Sequence, residues 1–426
     1  MKLNRKTQPL FKQIESINLI NPVKANLDNG IPLYIINAGT QDVLKIDISF
    51  DAGLWYQSKP LVASTVNEML LEGTKNYTSK DIAEKLDYYG SFIQPEPAKD
   101  TATISFFTLK KYLPDTITLL ADIIKNPIFP ESELKTFMGK RKQNFLVEME
   151  KVSNLARRKF NEQLFGANYP YGKSPELEDH DLVLRSDLID FHNQYYHPAN
   201  CRIIVAGKTD QGVVDSINEH FGKNDWLKGK YTEPKKHELN KPKPHKEFIK
   251  KENATQSAIR IGKLAITKSH PDYPKLEVVN TVLGGYFGSR LMKTIREEKG
   301  YTYGIGSYLV SLKQAGFFII STEVGSESTQ LAVDDIFTEI KKLRTEIISD
   351  EELKIAKNFM LGDMMRSFDG PFEQAQSYKS LIDMGIENDF FDRTLEAIKN
   401  ITSDEIQLLA NKYLNEEEMV VTVAGA

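Results

Sequence analysis

The chain repeats itself, and that repeat limits the folds open to it. Its first half closes with Arg185-Ser-Asp-Leu-Ile-Asp-Phe-His-Asn-Gln-Tyr-Tyr196, a turn, and Ile203-Ile-Val-Ala-Gly-Lys208. Its second half closes with Thr402-Ser-Asp-Glu-Ile-Gln-Leu-Leu-Ala-Asn-Lys-Tyr413 and then Met419-Val-Val-Thr-Val-Ala-Gly-Ala426. Each copy has a Ser-Asp helix start, an amphipathic helix ending in Tyr, and a β-branched strand ending in Ala-Gly. A second pair, Phe129-Pro-Glu-Ser-Glu-Leu134 and Ile348-Ser-Asp-Glu-Glu-Leu353, opens long helices near residues 131–151 and 350–367. A third pair, Val66-Asn-Glu-Met-Leu-Leu71 and Val279-Asn-Thr-Val-Leu-Gly284, falls late in a helix that follows a strand. Between the copies, Lys228–Lys250 is rich in Lys and Pro and reads as a semi-extended surface linker. The expected organisation is an N-terminal domain over 1–227, a linker over 228–250 and a similar C-terminal domain over 251–426.

Within each copy the order reads strand, helix, helix, strands, helix, long helix, helix, strand. Strands such as Leu44–Phe50, Ala102–Phe107 and Gly316–Ser321 alternate or run apolar. Short strands without regular helical crossovers predict an α+β class, each domain a mainly antiparallel sheet with helices packed on one face. A hydrophobic share of 40% and a charged share of 27% suit a globular chain. The net charge of −4 argues against a nucleic-acid partner. No apolar run is long enough to span a membrane, and the N-terminus lacks a signal-type apolar stretch, so the expected location is cytoplasmic, or periplasmic if the chain is already processed. The single cysteine, Cys201, excludes an intrachain disulfide and reads as a buried residue at a strand start.

The order and spacing of several segments resemble the pitrilysin/insulinase family of zinc peptidases, the inverzincins, in a half-length form. They include Gly53 after the first strand, Leu71-Glu-Gly-Thr74, Gly90, and Leu164-Phe-Gly-Ala-Asn-Tyr-Pro-Tyr-Gly172. They continue with Phe191–Asn200, Gly284-Gly-Tyr-Phe-Gly-Ser-Arg-Leu291 and Ile295–Tyr303. The resemblance implies two αβ domains that form half of a clamshell chamber, with a dimer closing it.

The family's zinc motif is H-x-x-E-H, followed a few residues later by Gly-Thr. Counting back from Gly73-Thr74 puts Ser64 and Glu68 where the two histidines would stand, and Asn67 where the general-base Glu would stand. No histidine occurs before His180, and no two of the seven histidines are four residues apart. The third ligand, a Glu on the long helix, would fall near Phe145, with Glu148 and Glu150 close by. Ser64 is a poor zinc ligand and Asn67 cannot accept a proton from water, so this chain is expected to hold no metal and no water-activating base.

The second half retains more. In the family, the C-terminal domain lends an Arg and a Tyr, seven positions apart, to the zinc site across the chamber. Arg296 and Tyr303 fit that spacing, with the helix expected to stop at Gly300 and Tyr301, Tyr303 and Ile305 expected to alternate on a strand. Arg290 reads as a structural alternative to Arg296. Gly284 and Gly285 are expected to let an extended peptide approach the backbone. The resemblance therefore implies a zinc-less subunit of a heterodimeric metalloendopeptidase. It would contribute peptide-binding surface and two hydrogen-bond donors to a partner that carries the zinc; a homodimer is the form open to the isolated chain. The alternative is a structural or peptide-binding subunit with no part in catalysis.

Overall fold

The computed structural model describes residues 19–226 and 236–426. The linker segment 228–235 lies outside the described residues. The first half contributes β1 (Val23–Asn26), β2 (Pro32–Asn37), β3 (Val43–Phe50), β4 (Phe92–Pro97), β5 (Ala102–Leu109) and β6 (Cys201–Gly207). They form one sheet in the order β1-β2-β6-β3-β5-β4. The second half contributes β7 (Lys246–Lys250), β8 (Gln256–Ala265), β9 (Ile305–Ser311), β10 (Gly316–Gly325) and β11 (Val420–Gly425). Their order is β7-β11-β8-β10-β9.

With β1 set aside, the two sheets have one topology. β6 pairs parallel with β2 and antiparallel with β3, as β11 pairs parallel with β7 and antiparallel with β8. Every other pairing is antiparallel. The repeated Ala206-Gly207 and Ala424-Gly425 end the corresponding strands, β6 and β11. Cys201 opens β6 and is buried, and burial pushes its thiol pKa up.

Each sheet has an apolar face because its strands place β-branched residues at alternate positions. Ile46, Ile48, Ile104 and Phe106 meet Ile117, Leu120 and Ile124 of helix Leu113–Lys125 in the first core. Ile259, Ile261, Ile320 and Val423 meet Val279, Leu283, Ile336 and Ile340 in the second. The opposite faces are covered reciprocally. Helix Val152–Phe165, from the first half, sets Ala156 against Ala258 and Ala424 of the second sheet. Helix Pro371–Met384, from the second half, sets Ala375 and Tyr378 against Ile36, Ile204 and Ala206 of the first. The alanines at the first of these contacts let helix and sheet approach closely. Arg202 on β6 ties the exchange, reaching Asp383 of the visiting helix at 2.6 Å and Asp51 at 3.0 Å.

The far end of the expected linker is a strand. Lys246–Lys250 is β7, an edge strand paired with β11. Its lysines disguise it in the sequence, because edge strands carry charge that blunts further pairing.

Candidate functional site

The helix at the zinc-motif position is short, Val62–Glu68, and begins after Leu61, whose φ of 71° is left-handed. Its motif residues divide between two environments. Asn67 is fully buried and turns into the core. Its Nδ2 donates to the Thr103 carbonyl at 3.3 Å and to the Tyr196 hydroxyl at 3.2 Å, while its Oδ1 has no partner among the described residues. Ser64 and Glu68 face the long helix Glu131–Met149, and Arg141 of that helix lies against both.

The guanidinium donates to Ser64 Oγ at 2.7 Å and to Thr65 Oγ1 at 3.1 Å, and stands 3.5 Å from the Glu68 carboxylate. Burial lowers the Arg141 pKa and Glu68 opposes that shift, but an arginine stays cationic throughout the working pH range. The two positions that would bind a dication are thus already occupied by an internal cation. The remaining oxygens are hydroxyls and one carboxylate, and no neutral imidazole is present, so this site does not fit zinc. Among the described residues no group of three His, Cys, Asp or Glu side chains is gathered for a metal.

The position near Phe145 proves to be one helical turn too late. Phe145 packs on the His180 ring at 4.9 Å, with Arg158 over it at 5.3 Å. Glu150 pairs with Lys251 at 2.6 Å, and Glu148 turns to Lys151. Arg141 itself went unread in the sequence, where it stands inside the surface-like run Lys140-Arg141-Lys142.

In the second half, Arg296 sits in a π-helical segment, Met292–Glu298, with a second π-helical segment at Thr281–Gly285. Such windings recur at functional sites because they re-aim side chains. Arg296 is half-buried and lies over the exposed Phe287 ring at 4.4 Å. The helical segment gives way at Gly300, whose φ is +68°. Tyr303 is not on a strand, since β9 starts at Ile305. Thr302 explains the difference: its hydroxyl donates to the Glu323 carbonyl at 2.7 Å and accepts from the Gly304 amide at 3.0 Å. These side-chain bonds stand in for ladder bonds. Tyr303 is left 94% exposed. Neither a hydrogen bond nor a ring contact joins Arg296 to Tyr303 among the described residues. Arg290 is a paired residue, bidentate on Glu352 at 2.7 and 3.0 Å.

The two glycines separate. Gly284 is buried, and a Cβ there would meet Ser307 N at 2.7 Å, so it serves close packing of helix on strand rather than a peptide. Gly285 is exposed and lines a cavity with Thr281 and Tyr308. No described helix is long and apolar enough to cross a membrane.

Comparison with known proteins fits this geometry. Residues 35–171 match the Insulinase (Peptidase family M16) family and residues 183–360 match the Peptidase M16 inactive domain. An uncharacterized zinc protease, YmxG of Bacillus subtilis, is 22% identical over 403 residues, covering 93% of this chain and 96% of that protein. A protein of Helicobacter pylori described as non-peptidase homolog YmxG is 26% identical over 313 residues, covering 71% of this chain and 69% of that protein. The crystal structure of a peptidase M16 inactive domain from Pseudomonas fluorescens shares the fold, with a TM-score of 0.88 at 22% identity over 95% of this chain and 98% of that one. With the H-x-x-E-H positions read as Ser64, Asn67 and Glu68, and Arg141 lying against Ser64 and Glu68, the chain belongs to peptidase family M16 as a half-length member without the family's zinc ligands.

Proposed function

We propose that this chain is the zinc-less subunit of a heterodimeric M16 peptidase, and that it presents Arg296 and Tyr303 to the zinc site of a homologous partner. The observation that carries this reading is the state of those two side chains. Tyr303 is 94% exposed with no partner for its hydroxyl among the described residues. Arg296 rests on an aromatic ring without a carboxylate among the described residues, whereas neighbouring Arg290 is bidentate on Glu352. Side chains that serve the fold are usually paired or packed; these two offer their N–H and O–H donors outward. A guanidinium and a phenol can both stabilise the negative charge that develops on a scissile carbonyl oxygen. This chain cannot supply the base, because Asn67 holds no basic lone pair and is locked in the core. Water activation would belong to the partner.

The test mixes this chain with a zinc-bearing M16 chain of similar length and measures peptide turnover. Arg296→Ala or Tyr303→Phe is expected to lower kcat by roughly 10²–10³. KM should change little, because the interaction belongs to the transition state. Full activity with both variants would leave this chain as a structural half-shell that shapes the peptide chamber. The name of the Helicobacter pylori relative is compatible with that second reading too.

A further inference from the structure

A cavity in the second half shares no residue with the Ser64–Arg141 site or with Arg296 and Tyr303. Its volume is about 660 Å³, within the range of roughly 300–1,000 Å³ typical of small-molecule sites. Its floor is core: Leu276, Phe318 and Leu414 are buried, and Ile266 and Leu309 are half-buried beside them. Its roof is the end of the linker, Lys241-Pro-Lys-Pro244. Two prolines hold that strap extended, and its lysines cannot drop their charge onto an apolar floor. The space beneath it stays open for that reason.

The rim is cationic. Lys241, Lys243, Lys263 and Lys412 line it against Glu418 alone, a formal balance of four positive charges to one negative. Two of the four are engaged: Lys263 pairs closely with Glu418, and Lys412 with Asp272 at 2.7 Å. Lys241 reaches Glu418 only at 3.4 Å and is 81% exposed. Lys243 is exposed and has no acidic partner among the described residues. An apolar floor beneath two under-used ammonium groups is complementary to one kind of ligand.

We propose that this cavity binds a monomeric anionic amphiphile, with its alkyl chain on the Leu276–Phe318–Leu414 floor and its carboxylate or phosphate head between Lys241 and Lys243. The apolar part gains by leaving water. The head gains from two exposed cations that lack a close acidic partner, which also favour an anion over a neutral head of the same size.

Calorimetric titration of the full chain with decanoate, decyl phosphate and decanol tests this. One saturable site is expected for both anions, with decanol at least about tenfold weaker. The Lys241→Glu/Lys243→Glu double variant should weaken decanoate by about tenfold and leave decanol unchanged. Leu309→Trp should fill the cavity and abolish both; Ala265→Phe serves as a second filling variant if the first does not fold by circular dichroism. Decanoate binding without decyl phosphate binding would assign the head as a carboxylate, and the reverse as a phosphate. No saturable binding of either anion, equal binding of decanol, or indifference to charge reversal overturns the proposal. So does binding confined to anionic phospholipid vesicles, or displacement of decanoate by no filling variant.

Discussion

Arg141 donates to Ser64 Oγ at 2.7 Å from 77 residues away, and so ties together two helices that meet at the zinc-motif position. A directed guanidinium is the tie between helix Val62–Glu68 and helix Glu131–Met149.

That tie predicts how the chain responds to chelation. EDTA should leave its melting temperature unchanged. Arg141→Ala should cost about 1–2 kcal/mol, the loss of two hydrogen bonds from a charged donor discounted for partial exposure. Urea unfolding of the variant measures the cost. A chelator-sensitive melting temperature in the wild-type chain would show a structural metal and contradict the bridge.

Arg290 and Tyr303 should differ sharply in stability measurements. Arg290 is a half-buried bidentate partner of Glu352, so Arg290→Ala should destabilise by about 1–3 kcal/mol. Tyr303→Phe should fall within about 0.5 kcal/mol of wild type, since the side chain is 94% exposed. A large stability loss in Tyr303→Phe would mean that its hydroxyl serves the fold, and the assignment to a partner's site would lapse.

Glu277 predicts a pH dependence with a definite sign. Burial raises its pKa, and Lys268 offsets part of the rise. A carboxyl raised in the folded state contributes stability that is fully present below its unfolded pKa, about 4.3, and is lost as pH rises through the folded value. Glu277→Gln should therefore raise the urea midpoint at pH 7, and the gain should fade below about pH 4. A gain of equal size at both pH values would locate the effect in packing instead.

Proteolysis should separate backbone from association. The proposed domains 1–227 and 251–426 meet at a strap in which Lys236 is exposed and is followed by His237, whereas Lys241 and Lys243 are each followed by proline. Trypsin is expected to cut there first and leave two fragments of roughly 20–25 kDa. The fragments should still co-elute on gel filtration, because helices Val152–Phe165 and Pro371–Met384 each pack on the other half's sheet. Fragments that part without denaturant would show that this exchange is too weak to hold the halves together.

The internal repeat, the helix starts at Ser403 and near Glu131, and the loss of the zinc motif were all legible in the chain. Each is written in neighbouring residues: a capping side chain acts within one turn, strand alternation has period two, and Gly73-Thr74 counts back to Ser64 by register alone. The tertiary structure decided what distant segments do to one another. It moved the long-helix contact from Phe145 to Arg141, because helix rotation sets which turn faces Ser64. It took Tyr303 off its expected strand, because Thr302 found the Glu323 carbonyl 21 residues on. It turned Lys246–Lys250 from linker into β7, because an edge strand draws its pairing from β11 rather than from its own hydrophobicity. It also exchanged helices between the two halves, since a sheet's second apolar face must be covered by whatever element the topology brings to it.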